Sequence, residues 1–200
     1  MLVQHCLKGL VERQPGFTDP EVAAVLTSQG LSTSWLRNSS NQMTDLPADS
    51  HNALSSAALD RHVNNFGQAA QTTPYYSLSA GCVELDISTR QTTTFPALQT
   101  ALDFCTDGGR RDGYVFKLWV LVSPKPAPEL PGFAEEVREL NLFRQFATFH
   151  FEGEVAAKLF IPARQIEYVE KYDMNLNRLW RAPNPNYVPP ERVSNVLDLI

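Results

Sequence analysis

Apolar and polar positions along the 200 residues alternate between strand-like and helix-like patterns. The clearest strand is YVFKLWVLV at 114–122, a run dominated by β-branched, aromatic and aliphatic side chains, as in a buried strand. Apolar residues at mixed spacing predict an opening strand at 2–13, and partial alternation predicts a strand at 75–88 with a bulge near Gly81. Two more strands are predicted at 147–162 and at 165–173. These segments are enough for one central sheet.

Helical spacing of apolar residues occurs between the predicted strands. Residues 19–30 have Asp19 as a cap, Pro20 at the first helical position and Gly30 as a stop, which is the usual order at the two ends of a helix. The same spacing predicts helices at 55–67, 95–109 and 133–146.

Two segments between these elements lack a periodic pattern. Residues 32–53, rich in Ser, Asn and Asp, predict a loop, and the four prolines of 123–132 exclude a regular element there. The predicted helices lead in the first third of the chain, and strands with helices between them follow. This order predicts an α+β fold with a mixed or antiparallel sheet. We predict a single domain over 1–173, followed by an irregular C-terminal arm over 174–200.

Charge and hydropathy restrict the partners of the protein. Seventeen basic and 22 acidic residues give a net charge of −5, which argues against tight binding to nucleic acid or to an anionic membrane. No apolar run approaches the length of a membrane span, and the N-terminal residues lack the apolar core of a secretory signal. We therefore expect a protein that works in the cytoplasm where it is made, or one exported by a route without such a signal.

The cysteines and histidines do not show the spacing of metal ligands. Cys6, Cys82 and Cys105 are an odd set without a CxxC pair, which disfavours a disulfide framework and a structural zinc site. One disulfide with a free thiol stays open, although three thiols in a reducing compartment are favoured. The sequence also contains no GxGxxG, Walker, GxSxG or HExxH motif.

Two glutamates interrupt the apolar pattern of residues 149–162, FHFEGEVAAKLFIP. Strand residues two apart point to the same side, so Glu152 and Glu154 are predicted to share one face. Each carboxylate makes the other harder to ionise, so the pairing calls for an explanation. A solvated strand face is one explanation, and a pair that acts on a substrate is the other.

The residues around this pair resemble the Glu-x-Glu strand of mono-ADP-ribosyltransferases of the cholera-toxin and heat-labile-enterotoxin kind. In EGEVAAKLFIPARQI, residues 152–166, the glutamates run into apolar residues and then an Ile-Pro turn ahead of the last strand. The resemblance implies that Glu154 binds the nicotinamide ribose of NAD and stabilises the charge developing on it. It also implies that Glu152 passes ADP-ribose to an arginine, whereas relatives that modify guanine in DNA have glutamine there.

The same family has a Ser-Thr-Ser strand upstream, and TPYYSLSAG matches it at Ser77 and Ser79. Leu78 replaces the threonine and is predicted to point away from the two serines. The family also has a helix before this strand, often ending near a histidine that lines the nicotinamide pocket. The resemblance assigns this position to His62, fifteen residues ahead of Ser77.

An arginine on the first strand holds the NAD phosphates in this family, because a guanidinium stays charged and grips phosphate oxygens with two donors. GLVERQPGFTDPEVAAVLTSQGL, residues 9–31, is similar to the opening of the family, which makes Arg13 the candidate. Arg37 in SWLRNSS is the alternative, and the sequence leaves both open.

The resemblance implies an ADP-ribosyltransferase-like α+β fold, with a mixed β-sheet core, short helices and an NAD cleft between the central strands. It implies a toxin- or effector-like enzyme that transfers ADP-ribose from NAD to a protein arginine, with NAD hydrolysis as a side activity. NAD would be the co-substrate, without a metal, and a nucleic-acid acceptor is disfavoured. The alternative is a catalytically weak or inactive binding protein with the same fold.

Overall fold

A computed structural model gives the fold and describes residues 2–12, 19–39, 45–86, 90–137 and 153–193. The strands are β1 (Leu2–Val11), β2 (Leu31–Ser32), β3 (Tyr75–Ser79), β4 (Cys82–Asp86), β5 (Gln91–Phe95), β6 (Gly113–Val122), β7 (Glu135–Glu136), β8 (Glu154–Lys158), β9 (Phe160–Ile161), β10 (Ile166–Tyr172) and β11 (Arg178–Pro183). The helices are α1 (Asp19–Ala24), which continues as a π-helical turn over Val25–Gln29, α2 (Ser34–Ser39), α3 (Leu46–Ala53), α4 (Ser56–Asn64), α5 (Phe66–Ala69) and α6 (Ala97–Cys105). Short 3-10 turns cover Ala163–Gln165 and Pro190–Arg192.

Seven of the strands form one sheet in the order β11-β10-β6-β1-β3-β8-β7. Its neighbouring strands pair antiparallel, and a parallel bridge joins Val122 to Ala134 beside it. Two smaller pairs, β2 with β9 and β4 with β5, lie outside this sheet. Short helices around a large antiparallel sheet confirm the predicted α+β class.

Helices cover both faces of the sheet. On one face, the π-helical turn after α1 contributes Val25 and Leu26 to a core that includes Leu10 and Phe116. On the other face, α6 packs against β1 so closely that a Cβ on Gly9 would lie 2.1 Å from the Ala101 carbonyl oxygen. The sheet is therefore a buried middle layer that fixes the positions of strands β1, β3 and β8.

Most of the predicted elements are present with shifted ends. The helix predicted over 133–146 is an exception, because β7 lies at its start, and its part from 138 onward is outside the described residues. The strands β1, β6 and β10 and the helix α6 lie where the apolar pattern predicts them. Helix α4 ends at Asn64 rather than at Gly67, and the strand predicted over 75–88 divides into β3 and β4 at Gly81, whose φ is +75°. Local periodicity located these elements, whereas capping and backbone geometry set their ends.

The loop predicted over 32–53 is wrong, because α2 and α3 both lie within it. The Asp45 carboxylate accepts the N–H of Ala48 at 3.3 Å and so caps α3, and a proline stands in the first turn. The many polar residues of this segment conceal the helices, since polar side chains remove the apolar stripe on which a helix prediction depends.

The irregular arm predicted from residue 174 contains a regular strand. Residues of β11 pair with β10 as the edge of the sheet, and Trp180 packs against Tyr114 with ring centroids 6.1 Å apart. The prolines that suggested irregularity lie at the end of the strand or beyond it, where a missing N–H breaks no ladder.

Candidate active site

The N-terminal cap of α4 and the spacing of its apolar residues determine the position of His62. The Ser55 hydroxyl accepts the N–H of Ala58 at 3.1 Å, which caps the helix. Leu59, His62 and Val63, at spacings of three and four residues, form the buried side of the helix. The His62 side chain is fully buried, with 0% exposure, and faces the sheet.

The register between β3 and β8 brings the predicted serines next to Glu154. Ser79 lies opposite Glu154 and Ser77 lies opposite Ala156 in an antiparallel ladder. Ser77, Ser79 and Glu154 therefore share the face that α4 covers, whereas Leu78 is buried in the core on the opposite face. Leu78 points away from the two serines and Glu154, as the alternation predicted.

Gly153 allows β8 to start close to the chain that follows β3. Its φ is +60°, and a Cβ there would lie 2.5 Å from backbone atoms of Gly81. Its carbonyl accepts the N–H of Ala80 at 2.9 Å. A side chain at this position would push the two segments apart, which explains the glycine before Glu154 in physical terms.

The carboxylate of Glu154 and the ring of His62 are in direct contact. Nε2 of His62 lies 3.2 Å from Oε1 of Glu154 and 2.9 Å from Oγ of Ser77. The Oε1 atom itself is buried and accepts no well-aligned hydrogen bond from the described residues. The Glu154 side chain as a whole is 17% exposed, so a substrate can reach it from solvent.

The environment of Glu154 favours its charged form. Burial acts to raise its pKa, but hydrogen bonding to His62 and Ser77, the electrostatic attraction of the His62 ring and the positive charge of Lys8 outweigh that effect. The pKa of Glu154 is lowered as a result, and the group is a carboxylate at neutral pH.

Lys8 lies beside this site, on the face of the sheet that carries Leu78 and Tyr76, and none of the sequence motifs includes it. The ladder between β1 and β3 holds the single register pair Leu7–Ser79 in the described part of the chain. The Lys8 ammonium donates a hydrogen bond to the Ser77 carbonyl at 2.9 Å, and it lies 4.5 Å from the centre of the Tyr76 ring. The lysine within the apolar second half of β1, CLKGLV, was the signal that could have indicated it.

Arg37, the alternative phosphate residue, is on the exposed side of α2. It donates to the Ser32 carbonyl, and its charge acts on the Tyr76 phenol. Burial raises the pKa of Tyr76, and Arg37 opposes this rise. The positive charges of Lys8 and Arg37 therefore both act on Tyr76.

The structure brings together only some of the residues predicted for the site. His62, Ser77 and Glu154 are in contact, and Ser79 is adjacent through the ladder. Arg13 and Glu152 lie outside the described residues, so their placement stays a prediction.

Among the described residues, no group of three or more His, Cys, Asp or Glu side chains could hold a metal ion. None of the helices in the same ranges is long and apolar enough to cross a membrane.

Comparisons with known proteins find similarity in backbone course alone. No family model matches the chain, and no curated protein sequence matches it. Among solved structures, EcPltA has a TM-score of 0.49 at 12% identity over 94% of this chain and 89% of its own. A heat-labile enterotoxin variant has 0.43 at 14% identity over 94% and 76%. The catalytic domain of the mosquitocidal toxin from Bacillus sphaericus has 0.44 at 11% identity over 94% and 57%.

Proposed function

We propose that this chain is a mono-ADP-ribosyltransferase that takes ADP-ribose from NAD and transfers it to a protein arginine. The observation that supports this proposal best is the Glu154 carboxylate. It is ionised, partly exposed and held 3.2 Å from a buried histidine that Ser77 also contacts. A fixed negative charge of this kind suits a reaction in which positive charge develops on the substrate.

The proposed reaction breaks the bond between nicotinamide and the ribose carbon that carries it. The bonding electrons leave with nicotinamide, so positive charge builds up on the ribose in an oxocarbenium-like transition state, as in glycoside hydrolysis. The Glu154 carboxylate interacts more strongly with the transition state, in which this charge has developed, than with bound NAD. Catalysis requires such a difference. His62 and Ser77 orient the carboxylate without being consumed.

Lys8 is proposed as a cation that holds the NAD phosphates, beside or in place of Arg13. Its ammonium is on β1, the strand on which the family resemblance places the phosphate-binding residue, and it lies 2.9 Å from the Ser77 carbonyl. A lysine supplies a point charge to phosphate, whereas an arginine supplies two parallel donors.

We expect Lys8→Met to raise the KM for NAD by about tenfold or more, because a charge-assisted contact contributes about 1.5–3 kcal/mol. Lys8→Arg keeps the charge and should retain or improve NAD binding. Arg13→Met, measured in parallel by steady-state nicotinamide release, shows which cation matters more. An unchanged KM in Lys8→Met would remove Lys8 from the proposal.

Glu152 is proposed to orient the incoming guanidinium and to take its proton, because a guanidinium is a poor nucleophile while it is protonated. The freed nitrogen then bonds to the ribose carbon that nicotinamide leaves. Water takes its place when no acceptor is present, so the enzyme is also expected to act as a slow NAD glycohydrolase. We expect nicotinamide release by the wild-type protein to rise when agmatine, an arginine analogue, is added. Glu152→Gln should keep the hydrolysis and lose the stimulation by agmatine.

Equal loss of hydrolysis and of transfer in Glu152→Gln would contradict the role given to Glu152. Wild-type release that agmatine does not raise would leave NAD hydrolysis without an arginine acceptor. NAD that protects the protein against thermal unfolding without any turnover would favour the alternative, a binding protein with an inactive site. The first result tests the role of Glu152, the second tests arginine as the acceptor, and the third tests whether the protein is an enzyme.

The proposal extends to the setting in which such an enzyme works. We propose a toxin or effector that is exported and acts on a protein in a target cell. The alternative that follows from the sequence is action in the cytoplasm of the cell that makes it.

A further inference from the structure

The buried ring of His62 has a polar partner at each nitrogen. Oγ1 of Thr73 lies 2.9 Å from Nδ1, and Oγ of Ser77 lies 2.9 Å from Nε2. Thr73 is itself 5% exposed, and its hydroxyl oxygen accepts the N–H of Tyr75 at 3.1 Å. The residue precedes β3 by two positions and takes no part in the site assigned above.

The surroundings of Nε2 require a hydrogen on that nitrogen. The carboxylate oxygen of Glu154 is 3.2 Å away, and a bare nitrogen lone pair at that distance would be repelled by the negative charge. An Nε2–H instead donates to Ser77 and attracts Glu154. In the neutral ring, the hydrogen is therefore on Nε2 and Nδ1 is bare.

The surroundings of Nδ1 fit this tautomer. A threonine hydroxyl has one hydrogen to donate and two lone pairs with which to accept. One lone pair of Thr73 already accepts the Tyr75 amide, so the hydroxyl hydrogen is available to a bare Nδ1. If Nδ1 carried the hydrogen, the Thr73 hydroxyl would accept two hydrogens and its own would need a third partner.

We propose that Thr73 is a positioning residue that holds His62 as its Nε2–H tautomer. The polar chain then runs in one direction: the Tyr75 amide donates to Thr73, Thr73 donates to Nδ1, and Nε2–H donates to Ser77 and faces Glu154. Hydrogen bonds aligned in this way strengthen one another. The catalytic consequence rests on the proposed function, whereas the tautomer itself does not.

The test uses nitrogen-15 NMR of the histidine rings in the full-length protein, because the shift of a ring nitrogen shows whether it is protonated or bare. His62 is identified among the four histidines by the signal missing from His62→Gln. In the neutral wild-type ring, we expect a protonated Nε2 and a bare, hydrogen-bonded Nδ1. In Thr73→Val, the Nδ1 signal should move to that of a bare nitrogen without a partner, and Thr73→Ser should restore it.

A kinetic measurement on the same variants tests the consequence for turnover. Thr73→Val should lower the kcat for nicotinamide release about two- to tenfold, the effect of one neutral hydrogen bond, without changing the KM for NAD. Thr73→Ser should recover most of the rate, and thermal melting shows whether both variants are folded.

A wild-type ring protonated at Nδ1 would overturn the inference, as would an Nδ1 signal that stays the same in Thr73→Val. If the wild-type protein releases no nicotinamide, the proposed function fails, but the NMR result still decides the role of Thr73. The two failures are thus distinguishable.

Discussion

Glu154→Gln is expected to lower nicotinamide release from NAD by about 10²- to 10³-fold, the range found when one preorganised electrostatic contact to a transition state is removed. The amide has nearly the same shape as the carboxylate but carries no charge, so it cannot offset positive charge on the ribose. The KM for NAD should change little, because the contribution of the carboxylate is largest in the transition state. Steady-state release by wild-type and variant protein measures both quantities.

Glu167→Gln is the matched control for this substitution. Glu167 is on β10 and pairs with Lys117 at 2.9 Å, with 29% of its side chain exposed. The same chemical change away from the proposed site should leave the release rate at the wild-type value. A Glu154→Gln protein that is folded and fully active would exclude Glu154 as the catalytic carboxylate.

The free energies of unfolding of the wild-type protein and of Glu154→Gln have to be compared at neutral pH. The pKa of Glu154 is lowered in the folded state, so its charge stabilises the fold above the pKa that it has in the unfolded chain. That contribution is lost as the pH falls through the lower, folded pKa. Urea unfolding at pH 7 therefore shows the full effect of losing the charge and separates it from the effect on catalysis.

Loss of either partner in the buried pair between Lys158 and Glu135 is expected to destabilise the fold by about 3–5 kcal/mol. Nζ of Lys158 is 2.7 Å from Oε1 of Glu135, and the two side chains are 0% and 1% exposed. Burial lowers the pKa of Lys158, while its contact with Glu135 acts to raise it. Lys158→Met leaves a buried carboxylate without its cation, and urea unfolding measures the cost.

The same lysine also anchors the proline-rich segment that follows β6. Its ammonium donates to the carbonyls of Ala127 and Leu130 at 2.6 and 2.8 Å, and the N–H of Ala127 donates to Glu135. Tyr75 adds a hydrogen bond from its hydroxyl to the carbonyl of Pro128 at 3.2 Å. Loss of the pair should therefore also loosen residues 127–130, which faster amide exchange of that segment would show.

The double variant Lys158→Met/Glu135→Leu should recover much of the lost stability, because replacing both charges with apolar groups leaves no charge buried alone. The matched control is Lys117→Met, which breaks the partly exposed pair with Glu167 and should cost about 0–1 kcal/mol. Equal costs for Lys158→Met and Lys117→Met would mean that burial does not strengthen the inner pair.

Several elements and part of the site could be predicted because they depend on local geometry. Alternation along a strand is set by the backbone, so Ser77 and Ser79 had to face away from Leu78 wherever β3 lay. The spacing of Leu59, His62 and Val63 similarly put the histidine on the apolar side of α4. Where polar residues removed the pattern, as in 32–53, the prediction failed and the helices were missed.

The amino-acid sequence by itself determined which residues share a face, because that is a property of neighbours along the chain. Only the tertiary structure decided which faces meet. Lys8 reaches the carbonyl of Ser77, 69 positions away, because the β1–β3 ladder has only the Leu7–Ser79 pair in the described residues. Thr73 and the inner pair of Lys158 and Glu135 were missed for the same reason, since strand register and burial arise only when distant segments pack.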